Sequence, residues 1–297
     1  TVTGSREQLL EFVEMFNRVQ LEREGCPHIH GLHLEGPYFA ASQAGAQNPA
    51  WLRNPEPEEY EEVLRRTDRI RRWSFAVELD GSDRFLQTLH RHGIITSLAH
   101  SDADYAQVAH AHALGLSCLT HFYSCMTTVR RKNAYRYAGA IEAGYLMDEL
   151  YVEAIADGSH LPAELLRLIY KVKKPHRICL VTDSIAAAGL PDGEYSLGGV
   201  ACIKEDGVAK LLDRSAFAGS VATTDMLVRT FRRLTGAPLA DVVRMVSLTP
   251  AELLGIDRKT GSIKAGKAAD LLVFDEDIQI RHISVGGRIE FSELAGN

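Results

Sequence analysis

The stretch GIITSLAHSDADYAQVAHAHALGLSCLTHFY, residues 93–123, decides the fold. It contains an apolar strand-like run, a helical segment and a second apolar run, and the two runs lead into His100 and His121. Apolar strands joined by a helix of this length are typical of a parallel sheet that is buried on both faces. The stretch therefore predicts an α/β protein.

The same unit recurs along the chain. Seven apolar runs are candidate strands: GLHLEG, SFAVEL, GIITSLAH, LSCLTHFY, LYVEAIADG, RICLVTDS and AFAGS. A capping-box pattern at Ser5 and Gln8 predicts a helix before the first of them. This order favours a TIM-like (β/α)8 barrel whose first strand is missing from the sequence. A doubly wound open sheet is the alternative.

The residue pattern of the sequence changes near Gly261. Short β-like runs separated by Gly and charged turns follow, in GSIKAGKAADLLVFDEDIQIRHISVGGRIEF. We expect residues 1–255 to form the catalytic barrel, and 256–297 to supply the C-terminal strands of a small β-sandwich appendage. Two or three such strands are not stable alone, so the N-terminal half of that small domain is expected to be absent.

Composition excludes several classes of protein. The 297 residues carry a formal net charge of -6 and are 45% hydrophobic, which predicts a soluble globular protein without a basic surface for nucleic acid or membranes. No signal peptide or membrane-length apolar run is recognised, so a cytoplasmic location is expected. The five cysteines are too few and too scattered for a disulfide framework and are interpreted as reduced packing residues.

Chemically versatile side chains follow the strand-like runs. They are Glu35, His100, His121, Asp183 and the pair Asp157 and His160. Each alone more often caps a helix or satisfies a loop. Strand ends of a barrel converge on one face, however, so these side chains are expected to meet. A carboxylate and two imidazoles suit zinc or a similar divalent ion with an open position for water, and Asp183 could carry that water's proton.

A series of motifs adds a resemblance to a known family. In order they are GLHLEGPY, GAQNP, AHSDA, THFYSCM, IADGSH, LVTDSIAAAGLPDGEYSLGG, FAGS and GSIKAGKAADLLVF. Together they resemble the N-acetylglucosamine-6-phosphate deacetylases of the amidohydrolase superfamily, from about residue 25 to the C-terminus. The GKAAD segment marks the superfamily broadly, whereas LVTDSIAAAGLPDGEY is much more specific to the deacetylases.

The resemblance implies a ligand set and a reaction. Glu35, His100 and His121 would bind the catalytic metal, zinc before iron, manganese or cobalt. Asp183 would act first as base and then as acid while water attacks the acetamide, giving glucosamine 6-phosphate and acetate. In related enzymes the missing strand often bears an HxH pair for a second metal, so one or two ions are compatible with the sequence.

The resemblance also implies substrate contacts. His160 would contact the sugar, and the main-chain amides around Ser124 and Cys125 would bind the phosphate. Arg131, in the basic run 130–132, would reach the phosphate bound by a neighbouring subunit, which implies a homodimer. The simpler alternatives are a cap for His160, an ordinary βα turn and a solvated charged loop.

Two departures from the family pattern leave alternatives open. Gln47 stands where the family has a histidine that hydrogen-bonds the acetamide oxygen; its amide can donate but cannot become cationic. SCM replaces the usual NAM after His121. The alternatives are a deacetylase of N-acetylgalactosamine 6-phosphate or of an unphosphorylated sugar, a cyclic amidase or deaminase, and a non-catalytic binding homologue.

Overall fold

A computed structural model describes residues 1–21 and 26–294. Its strands are β1 (Leu32–Glu35), β2 (Ile70–Phe75), β3 (Ile95–Leu98), β4 (Cys118–Leu119), β5 (Arg130–Lys132), β6 (Tyr135–Tyr137), β7 (Tyr151–Ala154), β8 (Ile178–Leu180), β9 (Gly193–Leu197), β10 (Val200–Glu205), β11 (Val208–Leu211), β12 (Leu271–Phe274), β13 (Ile280–Val285) and β14 (Arg288–Ser292). Its helices are α1 (Arg6–Asn17), α2 (Pro57–Arg66), α3 (Ser82–Arg91), α4 (Tyr105–Ala113), α5 (Ala140–Leu146), α6 (Ala163–Lys173), α7 (Thr224–Thr235), α8 (Leu239–Val246) and α9 (Leu248–Leu253).

A parallel six-stranded sheet forms the centre of the protein, in the order β1-β2-β3-β4-β7-β8. Helices α2 to α6 lie between successive strands of this sheet, as expected for repeated βα units. The arrangement confirms the TIM-like barrel class predicted from the apolar runs. The capping box at Ser5 is also confirmed, since Gln8 N–H donates to the Ser5 hydroxyl and the Gln8 side chain accepts from Ser5 N–H.

The seventh predicted strand, AFAGS, is reduced to isolated bridges. Ser220 pairs in parallel with Ser184, and Phe217 pairs with Lys210 on a different sheet. Gly219 has a φ of +66°, and a Cβ there would lie 2.9 Å from the Asp183 carbonyl oxygen. The left-handed turn and the close backbone approach interrupt a regular strand at this point.

A three-stranded antiparallel sheet, β11-β10-β9, follows the last barrel strand. Its strands were not predicted from the sequence, and the motif LVTDSIAAAGLPDGEYSLGG covers only β9. The hairpin β5–β6 projects separately, with its residues exposed. Within the described ranges, none of the helices is long and apolar enough to cross a membrane.

The C-terminal region forms a second antiparallel sheet, in the order β12-β13-β14. This confirms the predicted change to short β-strands beyond Gly261. Large apolar side chains remain exposed on it, with Leu272 56% and Ile289 63% accessible. The division into domains at residue 255 stays a prediction, and residues 295–297 of the second predicted domain lie outside the described residues.

Aromatic packing fixes the strand that precedes the site. The Phe85 ring of α3 lies about 5 Å from the rings of Tyr38, Tyr60, Trp73 and Phe75, all fully buried. The contacts with Tyr38, Trp73 and Phe75 are edge-to-face, and contacts of this kind contribute beyond simple burial of apolar area. The cluster joins α2, α3, β2 and the loop after β1, and so holds the end of β1 in place.

Candidate active site and metal centre

Three predicted ligands meet at the carboxyl ends of neighbouring strands. Glu35 is the last residue of β1, while His100 and His121 each lie two residues beyond β3 and β4. Glu35 Oε1 lies 3.2 Å from His100 Nε2 and 3.4 Å from His121 Nε2. One ligand atom from each residue falls within 4.8 Å of the others. This carboxylate and imidazole set fits a divalent metal ion with positions left open.

Unusual backbone conformations direct the chain at these strand ends. His100, His121 and Asp183 have φ values of 46°, 33° and 49°, in the left-handed region that non-glycine residues rarely adopt. Such conformations cost free energy and persist where surrounding contacts fix them. Ala40 N–H donates to the His100 carbonyl at 3.0 Å, and Ser220 N–H to the Asp183 carbonyl at 2.8 Å.

The protonation of His100 is linked to metal binding. Its Nδ1 lies 2.8 Å from the Gln43 carbonyl oxygen, which assigns a proton to Nδ1 and leaves Nε2 to face Glu35. Burial alone would lower the pKa of His100, but hydrogen bonds to Cys125 and Glu35 raise it to about 10. A raised pKa opposes metal binding at Nε2, because a histidine binds a metal ion through a deprotonated nitrogen.

Asp183 follows β8 and faces the same centre. Burial is the main cause that raises its pKa to about 6, and the negative charge of Glu35 adds to it. A carboxyl group with this pKa is largely ionised at neutral pH yet close enough to its pKa to accept and return a proton. These are the properties required of a general base that later acts as an acid.

One cavity of about 860 Å³ contains the cluster. Eight of the predicted site residues line it: Glu35, Gln47, His100, His121, Ser124, Cys125, His160 and Asp183. Arg131 does not, since it lies on the exposed hairpin β5–β6. Sequence reasoning missed Phe217, whose ring lies 4.4 Å from that of His160 and adds an apolar wall.

Comparison with known proteins assigns the family. The amidohydrolase family matches residues 16–294. The chain belongs to the amidohydrolase family. It is 34% identical over 264 residues to the N-acetylglucosamine-6-phosphate deacetylase of Vibrio furnissii, covering 89% of this chain and 65% of that protein. It is 33% identical over 262 residues to the N-acetylgalactosamine-6-phosphate deacetylase of Escherichia coli O157:H7, covering 88% of this chain and 68% of that protein. This amidohydrolase thus spans about two thirds of the length of these curated relatives.

Solved structures resemble it over nearly its whole length. One of them is a mutant N-acetyl-D-glucosamine-6-phosphate deacetylase from Mycobacterium smegmatis in complex with N-acetyl-D-glucosamine-6-phosphate. The TM-score is 0.90 and the sequence identity is 31%, and the match covers 98% of this chain and 75% of that chain. The N-acetylglucosamine-6-phosphate deacetylase of Thermotoga maritima has a TM-score of 0.89 and a sequence identity of 33%. That match covers 99% of this chain and 78% of the other chain. The amidohydrolase therefore has the fold of these deacetylases.

Asp157 orients His160 in this amidohydrolase. Its Oδ2 lies 2.7 Å from His160 Nδ1, and its Oδ1 accepts the backbone N–H groups of Ser159 and His160, each at 2.9 Å. Asp157 therefore caps this turn. Capping was the alternative role predicted for His160, and Asp157 fills it instead. The imidazole is held by one nitrogen, which leaves the other for a ligand.

The predicted phosphate turn is only partly free to bind an anion. Ser124 N–H donates to the His121 carbonyl at 2.9 Å and so closes the turn. Cys125 N–H has no hydrogen-bond partner among the residues that the structure describes. Tyr123 and Cys125 both have positive φ, at 81° and 52°, a local backbone shape that can turn amides toward a common point.

A polar network lies inside the barrel of this amidohydrolase. Arg72 of β2 forms a buried bidentate pair with Glu153 of β7, and Arg72 Nη2 also donates to Thr120 Oγ1 at 3.3 Å. Thr120 Oγ1 lies 2.8 Å from Ser74 Oγ, which lies 2.7 Å from His33 Nε2. The network joins β1, β2 and β7 with Thr120, the residue before His121. Sequence reasoning missed it, although Glu153 within the apolar run LYVEAIADG was a signal; Arg72 lies before the run SFAVEL.

Proposed function

We propose that this amidohydrolase removes the acetyl group of N-acetylglucosamine 6-phosphate, giving glucosamine 6-phosphate and acetate. The observation that carries the proposal is the Glu35, His100 and His121 cluster beside Asp183 in one cavity. The similarity to deacetylases of this name supports the choice of substrate. A phosphorylated sugar does not cross a bilayer unaided, which supports the predicted cytoplasmic location.

A divalent ion is the proposed cofactor. Glu35 Oε1, His100 Nε2 and His121 Nε2 would hold it, and zinc suits these donors best, with iron, manganese and cobalt as alternatives. When bound, such an ion polarises a carbonyl group and lowers the pKa of water. These three residues provide for one ion; a second would need further ligands.

Asp183 carries the proton in the proposed reaction. Its carboxylate accepts a proton as water adds to the acetamide carbonyl carbon, and the resulting acid delivers that proton to the nitrogen as the C–N bond breaks. Acetate and a free amine result. His160, held by Asp157, is proposed to bind a sugar hydroxyl, and Phe217 supplies an apolar surface beside it.

The phosphate is proposed to bind at the turn after His121. Cys125 N–H is the available donor there, while the Ser124 amide is held within the turn. Arg131 lies outside the cavity of its own chain on an exposed hairpin, which supports the proposal that it reaches the substrate of a second copy. A homodimer follows from this assignment.

The acid limb of kcat/KM is expected at or below about pH 6. The reaction needs ionised Asp183, whose pKa is raised to about 6, so protonation removes the base as the pH falls through that value. A cation held by Glu35 would offset the negative charge of that residue and so move the acid limb to lower pH. A pH profile at saturating metal measures it, with about tenfold loss per pH unit below the limb expected from single-group titration. Activity that rises from pH 7 to pH 5 would contradict this role.

A substrate panel tests the reaction class. We expect amine release from N-acetylglucosamine 6-phosphate and no turnover of cyclic amides or aminopurines by the metal-loaded, full-length protein. N-acetylgalactosamine 6-phosphate is included as a second candidate, because one relative bears that name. Turnover of a cyclic amide or an aminopurine in place of the sugars would replace the proposal by another amidohydrolase activity.

A further inference from the structure

Gln47 lies beside the candidate metal centre with both ends of its amide engaged. Its Nε2 donates to Glu35 Oε1 at 3.0 Å, and its Oε1 accepts the backbone N–H of Thr3 at 3.0 Å. Gln47 is 7% exposed and Thr3 is 1% exposed. These bonds are shielded from water, which makes them costly to leave unmade.

The partners define the orientation of the amide. The Thr3 N–H can only donate, so the atom facing it must be the oxygen of Gln47. The Glu35 carboxylate can only accept, so the atom facing it must be the nitrogen. Both requirements agree with the placement of the two atoms, and a flipped amide would lose both hydrogen bonds.

The loop that carries Gln47 packs directly on the metal site. Gly45 has a φ of +55°, and a Cβ at this position would lie 2.6 Å from Cys125 Sγ and 3.5 Å from His100 Cε1. Gln47 N–H also donates to the Ala44 carbonyl at 2.9 Å. The close approach and the backbone bond fix the starting point of the Gln47 side chain.

We propose that Gln47 is a positioning residue for Glu35. Glu35 Oε1 is the atom that faces both histidines, and Gln47 holds that same atom from another side. Its main role is therefore to set the carboxylate for metal binding. Only its second N–H is left for a substrate oxygen. The inference rests on the metal-binding part of the proposed function and adds a determinant of metal affinity to it.

Gln47→Met tests the proposal by removing both hydrogen bonds while keeping a similar side-chain length. Competition with a chromophoric zinc chelator is expected to give a metal dissociation constant about 10- to 100-fold higher than wild type, the usual effect of losing an outer partner of a ligand. At saturating metal, KM for N-acetylglucosamine 6-phosphate is expected to stay close to wild type. The visible absorption of the cobalt-substituted protein is expected to change, because the ligand geometry is altered.

Two further variants keep the result decisive. Gln87→Met makes the same exchange on the exposed face of α3 and is expected to leave metal affinity unchanged. Gln47→Asn keeps an amide but shortens its reach, and it is expected to weaken metal binding as well. This variant replaces Gln47→Met in the test if thermal unfolding shows that the Met variant does not fold.

The outcomes separate this inference from the proposed function. Wild-type metal affinity in Gln47→Met, with kcat/KM alone reduced, would overturn the inference and assign the amide to the substrate. A wild-type protein that binds no divalent ion would overturn the inference together with the metal-dependent reaction.

Discussion

Replacing Asp183 by Asn is expected to lower kcat by about 10²- to 10⁴-fold, the range attributed to general acid–base catalysis. The amide is nearly isosteric with the carboxylate but can neither accept the proton of water nor deliver one to the amine. Asp183 is not one of the three clustered ligands, so the metal content is expected to stay at the wild-type level. Steady-state kinetics and elemental analysis of the same preparation measure both quantities.

Asp192→Asn is the matched control for this variant. It makes the same exchange in the segment that follows β8, at an exposed position, and is expected to keep wild-type kcat. Retention of full activity by Asp183→Asn with its metal intact would remove Asp183 from the mechanism. The proton would then need another carrier in the cavity.

Glu35→Gln is expected to have the second large effect, on metal binding. Glu35 Oε1 faces both histidine Nε2 atoms, and its charge offsets that of the ion. The neutral amide is expected to weaken binding by more than the 10- to 100-fold typical of an outer partner. Metal content after dialysis and amine-release activity are expected to fall together, and excess metal is expected to restore part of the activity.

A matched exchange at Glu194 controls for the loss of one negative charge. Glu194 is exposed on β9, so Glu194→Gln is expected to keep both metal and activity. Glu35→Gln protein that retains a stoichiometric ion after dialysis would contradict the assignment of Glu35 as a ligand.

The barrel and the ligand cluster could be predicted because their signals are local. Glu35, His100 and His121 end or closely follow apolar runs, and the barrel topology brings such strand ends together. Five of the runs contain a strand of the sheet, whereas SFAVEL overlaps β2 only at Ser74 and Phe75 and otherwise covers the turn that follows it. AFAGS failed as a strand because Gly219 turns the backbone there.

The sheet β9–β11 was missed although its signals were present. Asp206 and Gly207 both have positive φ and form the turn between β10 and β11, and an Asp-Gly pair between apolar runs is a strong hairpin signal. The turn lies beyond the family motif LVTDSIAAAGLPDGEYSLGG, which ends at Gly199. The error lay in the interpretation, since the sequence contained the information.

Other parts of the site depend on contacts that a linear pattern does not specify. The Arg72 and Glu153 pair crosses from β2 to β7, and Phe217 meets His160 from a distant loop. The bonds of Gln47 to Thr3 and Glu35 likewise need the folded chain. Residue type predicted that Gln47 could donate; only the structure identified the acceptor.

The most direct test of the account compares amine release by the metal-loaded, full-length protein from N-acetylglucosamine 6-phosphate and from free N-acetylglucosamine. We expect faster release from the phosphate ester than from the free sugar, because Cys125 N–H and the partner's Arg131 are proposed to bind the phosphate group. The free sugar is expected to react slowly or not at all. Equal or faster release from the free sugar would contradict the phosphate site while leaving the hydrolytic centre in place. No release from either sugar, with metal bound, would contradict the proposed deacetylase activity itself.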